Sequence, residues 1–166
     1  MHIRDADCGD ILQIARVHIS SWQTTYTGIV PEDYLSNLNI KDRAQRWLTI
    51  FNAGKELYVD VAVTDAGEIV GFASSGPELS GMHPGMAELT SIYILQEYQG
   101  IGIGRQLFER AVSRLKARYS TMLVWALSQN PACDFYIRMG GVPDVETTCE
   151  IGGVTLPERS FLFPLE

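Results

Sequence analysis

The chain is poor in the side chains that hold metals or staple small folds. Three cysteines (Cys8, Cys133, Cys149) and three histidines (His2, His18, His83) are scattered through 166 residues. An odd cysteine count without a C-x-x-C pair argues against a disulfide framework and against zinc, so no metal is expected. Long apolar runs are also missing. Nothing approaches the about 18 residues of a membrane span, and Met1-His2-Ile3-Arg4-Asp5 leads straight into polar sequence rather than a signal peptide. A cytoplasmic protein without a membrane partner is expected. Basic side chains are outnumbered, 13 against 20, for a net charge of −7. That balance, with no long basic track interleaved with aromatics, argues against a nucleic-acid partner. Repeats, low-complexity tracts and linkers are absent as well. With 46% hydrophobic residues, residues 1–166 read as one globular domain with a substantial core.

What the chain does have is a glycine-rich junction, Gln99-Gly100-Ile101-Gly102-Ile103-Gly104. It lies between a strand-like run (Leu89 to Leu95) and an amphipathic helical run (Arg105 to Tyr119). Glycines at every second position leave N–H groups uncovered, and a helix start adds unpaired N–H groups and the positive end of its dipole. Such a junction suits a phosphate; a ligand-free tight turn is the plain alternative. No Gly-Lys-Ser/Thr follows, since Arg105-Gln106 comes next, so a P-loop is excluded. The glycine spacing differs from the dinucleotide fingerprint, and Met122-Leu123-Val124-Trp125 stands where an acidic ribose partner is needed, which leaves NAD a poor second choice. Arg105, Arg110, Arg114, Lys116 and Arg118 follow the loop, opposed only by Glu109. They predict a local positive field in an acidic protein, suited to a compact polyphosphate, unless they form an ordinary solvated face.

The rest of the chain alternates between strand and helix patterns. Met1 to Arg4 reads as a strand; Asp7 and Asp10 resemble a capping box opening a helix with Leu12, Ala15, Ile19 and Trp22 inward. A helical region follows Pro31 with Tyr34, Leu35 and Leu38, and an amphipathic piece, Asp42 to Phe51, ends near Gly54. Val59, Val61 and Val63 alternate as a strand; Asp65-Ala66-Gly67-Glu68 turns it into Ile69 to Ser75, and Gly76-Pro77 closes that hairpin. Ala87 to Leu95 is the central strand. Leu107, Phe108, Ala111, Val112 and Leu115 give the next helix its buried face. Met122 to Leu127 is a buried strand, Asn130-Pro131 starts a short helix ending at Gly140-Gly141, and Val145 to Ile151 and Thr155 to Phe163 flank Gly152-Gly153 as a hairpin. The class is α/β (α+β), a mixed sheet with helices on both faces.

These residues resemble the GNAT superfamily of acyl-CoA-dependent N-acetyltransferases over nearly the whole chain. Gln99, Gly102 and Gly104 match its Gln/Arg-x-x-Gly-x-Gly/Ala loop, after an Ile-Tyr-Ile segment at Ile92-Tyr93-Ile94. Asn130-Pro131-Ala132-Cys133-Asp134-Phe135-Tyr136 matches its Asn-x-Ala-x-x-Phe-Tyr, and Trp22 to Pro31 looks like many small bacterial members. Gly140-Gly141-Val142 departs from the usual Gly-Phe, an aromatic missing from the packing. The resemblance implies a twisted, mostly antiparallel sheet of about seven strands, split between the fourth and fifth.

It further implies acetyl-CoA as co-substrate. Its diphosphate would lie on the N–H groups of Gln99, Gly100, Ile101, Gly102, Ile103, Gly104 and Arg105, and its arm against the backbone of Ile92, Tyr93 and Ile94, strand-like. Asn130 and Ala132 would contact the arm from the other wall, although Asn130 also reads as a helix cap. The reaction would be a direct attack of a primary amine, from a small molecule or a peptide, on the thioester. A charged amine has no lone pair, so a base is needed; Glu88, four residues before Ile92, is the candidate and would share a face with Thr90, Ile92 and Ile94 on an unbulged strand. Four residues span about 13 Å, which favours a proton relay through water. Otherwise Glu88 is a solvated carboxylate. Tyr136 would protonate the departing thiolate, or else be a core aromatic. The Ile94 N–H would stabilise the oxyanion. Trp22, Tyr26, Tyr34, Glu88 and the 151–158 turn would surround the acceptor. A homodimer is compatible with this reading. A sensor of the same fold that holds acyl-CoA without turning it over is the rival.

Overall fold

In the computed structural model, which describes residues 1–53 and 56–165, Asp7 and Asp10 cap each other's turn. The Asp10 carboxylate accepts the Asp7 N–H at 2.9 Å, and the Asp7 side chain accepts from the Gly9 N–H at 2.7 Å. One 3-10 turn later α1 begins, running Ile11–Thr25. Its inward face is Ile11, Ile14, Ala15, Val17, His18, Ile19 and Ser21, and Leu12 is 61% exposed rather than buried. Leu12 lies about 100° around the axis from Ile11, at the margin of the stripe that meets the sheet. Pro31 then precedes α2 (Glu32–Ser36), and Asn39 caps α3 (Ile40–Asn52), which buries Trp47. The expected end near Gly54 lies outside the described residues.

Seven strands form one sheet, ordered β1-β2-β3-β4-β5-β7-β6. Their ranges are β1 His2–Asp5, β2 Tyr58–Val63, β3 Ile69–Pro77, β4 Ala87–Ile94, β5 Thr121–Leu127, β6 Val142–Ile151 and β7 Val154–Pro164. Only β4 and β5 run parallel. The valines of β2 do alternate, but both faces of the strand are covered: Asp60 and Tyr58 meet Arg114 of the helix α4 (Ile103–Leu115), and the strand is buried from Val59 to Val63. Gly76 and Pro77 do not close the hairpin. They extend β3 opposite Glu88 and Ala87, and Gly76 is needed there because a Cβ would stand 2.6 Å from the Glu56 carbonyl oxygen.

Helices cover both faces of β4. The Tyr93 ring stacks toward His18 of α1 at 4.9 Å, whereas Ile94 lies under Gly104 of α4 on the opposite side. The short helix α5 (Ala132–Arg138) joins the Ile94 side through Phe135, edge-on to Phe108 at 6.0 Å. Where Gly141 replaces the expected aromatic, Phe163 fills the space, so that a Cβ on Gly141 would lie 2.6 Å from its ring. The ring comes from a different strand.

Candidate active site

The sheet opens after two residue pairs. Ala87↔Met122 and Glu88↔Leu123 are the whole β4–β5 ladder; beyond them β5 stays with β7 while β4 continues with β3. Leu95 donates its N–H to Val70, so Tyr93↔Phe72 is also a hydrogen-bonded pair and Gly71↔Ile94 and Ala73↔Ile92 are not. Ile92 and Ile94 therefore turn their N–H and C=O groups to the edge that β5 has left. One of these is taken, because the Gln99 side-chain amide donates to the Ile94 oxygen at 2.9 Å. The Ile92 pair and the Ile94 N–H remain.

This edge lines a cleft of about 600 Å³. At one end stands the glycine loop. Gly100 and Gly102 have φ of +76° and +92°, a region that favours glycine, and Gly102 caps α4 without any side-chain oxygen. Its carbonyl accepts the first intrahelical bond from Gln106, which leaves the N–H groups of Ile103, Gly104 and Arg105 free of the helix ladder. Gly104 serves a different purpose: a Cβ there would sit 3.2 Å from Ile94, so its absence lets α4 approach β4. Gly100, Gly102, Gly104, Gln99 and Arg105 all line the cleft. The Ile103 side chain is in the core, and that of Ile101 is 64% exposed.

The expected positive helix is mostly neutralised. Arg110 and Arg114 both reach the buried Asp60, at 2.6 and 3.0 Å, and both pair with Asp5; Arg118 pairs with Glu56 at 2.6 Å. They face β1 and β2, away from the cleft, because residues 110 and 114 lie one turn apart on the side of α4 that covers β2. Of the five cations, Arg105 is the one in the cleft wall.

On the opposite wall Asn130 both caps and bridges. Its Oδ1 accepts from the Ala132 N–H at 2.8 Å, and its Nδ2 donates to the Tyr26 hydroxyl at 3.1 Å. Ala132 lines the cleft with it. Tyr136 also lines the cleft, and burial first, then the neighbouring Tyr93 and Cys133, pushes its phenol well above the ordinary value, so the proton stays on. Burial likewise raises Tyr26 and Tyr93.

Glu88 is on the other side of β4 from the one expected. Ser74 pairs with Ser91 and Ser75 with Leu89, so Thr90 is an extra residue, a bulge fixed by its hydroxyl against Ser74 at 2.7 Å. The bulge shifts the alternation, so Glu88 shares a face with Ser91 and Tyr93, while Ile92 and Ile94 face α4. Glu88 is half-buried at the root of the split and does not line the cleft. Burial raises its pKa, with Glu78 adding to the rise and His83 opposing it.

Of the aromatics expected around an acceptor, Tyr26 lines the cleft. Trp22 is engaged behind it, donating Nε1–H to the Tyr93 hydroxyl at 3.0 Å. Tyr34 does not line the cleft but meets the tip of the β6–β7 hairpin, where a Cβ on Gly152 would be 2.9 Å from its own Cβ. The cleft wall also contains Ser21, Thr24, Thr25, Ser91 and Trp125, none of which was singled out from the sequence. Their signal is faint, since hydroxyls at helical spacing near the end of a helix read as a solvated face. Among the described residues no group of three His, Cys, Asp or Glu side chains is placed to hold a metal, and no helix is long and apolar enough to cross a membrane.

The family model described as the acetyltransferase (GNAT) family matches residues 18–140. The chain belongs to the GNAT family. By that membership it is an N-acetyltransferase that takes acetyl-CoA as co-substrate. The GNAT chain is 39% identical over 163 residues to an uncharacterized N-acetyltransferase, YuaI, of Bacillus subtilis, covering 98% of this chain and 92% of that one. Its fold is similar to that of yncA, a putative acetyltransferase from Salmonella typhimurium solved with acetyl-CoA (TM-score 0.75, 21% identity, 100% and 94% of the two chains). It is similar also to a ribosomal-protein-alanine N-acetyltransferase from Brucella melitensis (TM-score 0.76, 22% identity, 99% and 100%). At such identities these two structures speak for the fold alone.

The chemistry of the described residues fits the co-substrate. Free N–H groups gather at the start of α4, Arg105 stands beside them, and β4 offers an unpaired edge with the amide-matching groups of Ile92 and Ile94.

Proposed function

We propose that this GNAT protein acetylates a primary amine by direct attack on the thioester of acetyl-CoA. The observation that carries the reading is the unpaired edge of β4 opening beside the uncapped start of α4. Acetyl-CoA supplies an electrophilic carbonyl and a thiol leaving group. The first-turn N–H groups of α4, with Arg105, hold the diphosphate, and the Ile92 groups bond the arm as a neighbouring strand would. Asn130, fixed by its own bonds to Ala132 and Tyr26, presents a rigid second wall.

The amine must arrive without its extra proton. Glu88 takes that proton through water from the Tyr93 side of the sheet; its raised pKa makes it a better base near neutrality than an ordinary carboxylate. The Ile94 N–H, aimed into the split, stabilises the oxyanion, which needs donors fixed in advance. Tyr136, held protonated by burial, gives its proton to the leaving sulfur. The proton released by the new amide nitrogen restores it.

A thiol-release assay with acetyl-CoA and a panel of amines tests this reading. Amine-dependent release above the hydrolytic background is expected. Calorimetric binding of acetyl-CoA without release from any amine would favour a sensor instead, and no binding at all would remove the reading.

A further inference from the structure

The cleft is charged from one side only. Its cations, Arg105 and Arg138, rise from α4 and α5 on the Ile94 face. From the Tyr93 face the wall is Ser21, Thr24 and Thr25 of the last turns of α1, Thr90 and Ser91 of β4, and three rings, those of Tyr26, Tyr93 and Trp125. Trp125 is on this face because Leu123, two residues earlier, stands opposite Glu88. Among the described residues no carboxylate, lysine or arginine lines the cleft from here; Glu88 shares this face but stands at the root of the split, outside the lining.

The hydroxyls of this wall are not all satisfied. Thr24 donates to the carbonyl oxygens of its own helix, and Thr90 is engaged with Ser74. The Ser21 Oγ, on a residue 1% exposed, has no hydrogen-bond partner. The phenols carry a second surplus. The Tyr93 oxygen already accepts from Trp22 and the Tyr26 oxygen already accepts from Asn130, because an indole N–H and an amide NH₂ can only donate. Neither phenol donates its own O–H in a hydrogen bond among the described residues. A phenolic O–H of the pair is left for whatever enters.

A wall of this kind, buried at Ser21 and Tyr26 and open at Thr24 and Thr90, accepts some neighbours and rejects others. A carboxylate beside the reacting amine would lose water and find no cation in this wall's lining, since Arg105 and Arg138 line the other side and Arg43 acts on Tyr93 from outside the lining, and it would face the carbonyl end of α1. A second ammonium would find no carboxylate in the lining, Glu88 being engaged through water with the proton of the first. A hydroxyl or an amide carbonyl loses least, because the phenolic O–H of the Tyr26–Tyr93 pair, and the Ser21 hydroxyl once its side chain turns into the cleft, replace its water.

Resting on the transferase reading above, we infer that the acceptor is a monoamine whose neighbouring group is neutral and hydrogen-bonding, a hydroxyl or an amide carbonyl, and is neither a free amino acid nor a polyamine. The shared chemistry has two sources, an amino alcohol and the N-terminus of a peptide.

The test is thiol release with a matched set: alaninol, alaninamide, alanine and 1,3-diaminopropane. At least tenfold higher kcat/KM for alaninol or alaninamide than for alanine and diaminopropane is expected, and whichever of the first two leads identifies the source. Parity, or a lead for alanine or diaminopropane, overturns the inference while the transferase reading stands. No release from any amine overturns both. Internal to each enzyme preparation, and so independent of the folded fraction, the ratio of kcat/KM for alaninol to that for isopropylamine is expected to fall at least fivefold in Ser21→Ala and in Tyr93→Phe. An unchanged ratio in both variants would show that this wall does not read the neighbouring group.

Discussion

Across the cleft, the wall made by α4 and α5 offers main-chain N–H groups and two arginines, whereas the wall made by α1 and the Tyr93 side of β4 offers hydroxyls and aromatic rings. On the proposed function the first wall holds the co-substrate through main-chain groups, which cannot be exchanged by mutation, with Gly102 at a φ of +92° that favours glycine. The second, proposed to meet the acceptor, is built from side chains, each replaceable. Damage to the first wall is therefore expected to abolish co-substrate binding, and damage to the second to change rates and preferences.

The largest effect is expected from Gly102→Val. A β-branched residue is forced into a left-handed conformation costing about 1–3 kcal/mol, and its methyls cover the N–H groups beside it. Acetyl-CoA affinity by calorimetry should fall at least about a hundredfold; unchanged affinity would break the assignment of this wall. Next comes Tyr136→Phe, which removes a proton donor and no packing atoms. Here kcat should drop on the order of 10²-fold while acetyl-CoA affinity stays within a small factor.

Glu88→Gln is expected to cost about tenfold in kcat/KM, most at lower pH, where the amine holds its proton hardest. A parallel pH profile would remove Glu88 from the base role. The same variant has a stability signature. The folded-state pKa of Glu88 is raised, so its neutral form is favoured in the fold, and the stability it contributes is present below the ordinary carboxylate pKa and lost as pH rises through the raised one. The glutamine variant should thus melt above the parent at pH 8 and match it in acid. The smallest effects separate two arginines on one helix. Arg105→Ala should weaken acetyl-CoA binding several-fold with stability changed by less than about 0.5 kcal/mol. Arg110→Ala should leave binding alone and cost about 1–3 kcal/mol in urea unfolding, since Asp60 is 1% exposed and loses its 2.6 Å partner.

The sequence made the first wall legible because its parts are consecutive: strand, glycines and helix start fall within residues 89–105, and Asn130 to Tyr136 repeat the economy in seven residues. Glycine at a left-handed position and an Asn before a helix have few other physical meanings. The second wall was largely illegible. Its hydroxyls come from the end of α1 and from β4 and its Trp125 ring from β5, and only chain folding brings them together. The charge on α4 misled for the same reason, since Asp5 and Asp60 are 105 and 50 positions away from the Arg110 they neutralise. The strand period was right for Ile92 and Ile94 yet failed for Glu88, because a bulge arises from the pairing of two strands and leaves no mark in the period of one.

That bulge makes the location of the carboxylate a matter of counting. Thr90 is one codon, and every residue of β4 before it is oriented by the presence of that codon rather than by its own chemistry. Excising it in frame would rotate Ala87, Glu88 and Leu89 by half a period, burying an acid against α4 and turning two apolar side chains toward the amine, whereas a substitution at position 90 would cost the Ser74 contacts and leave the count unchanged.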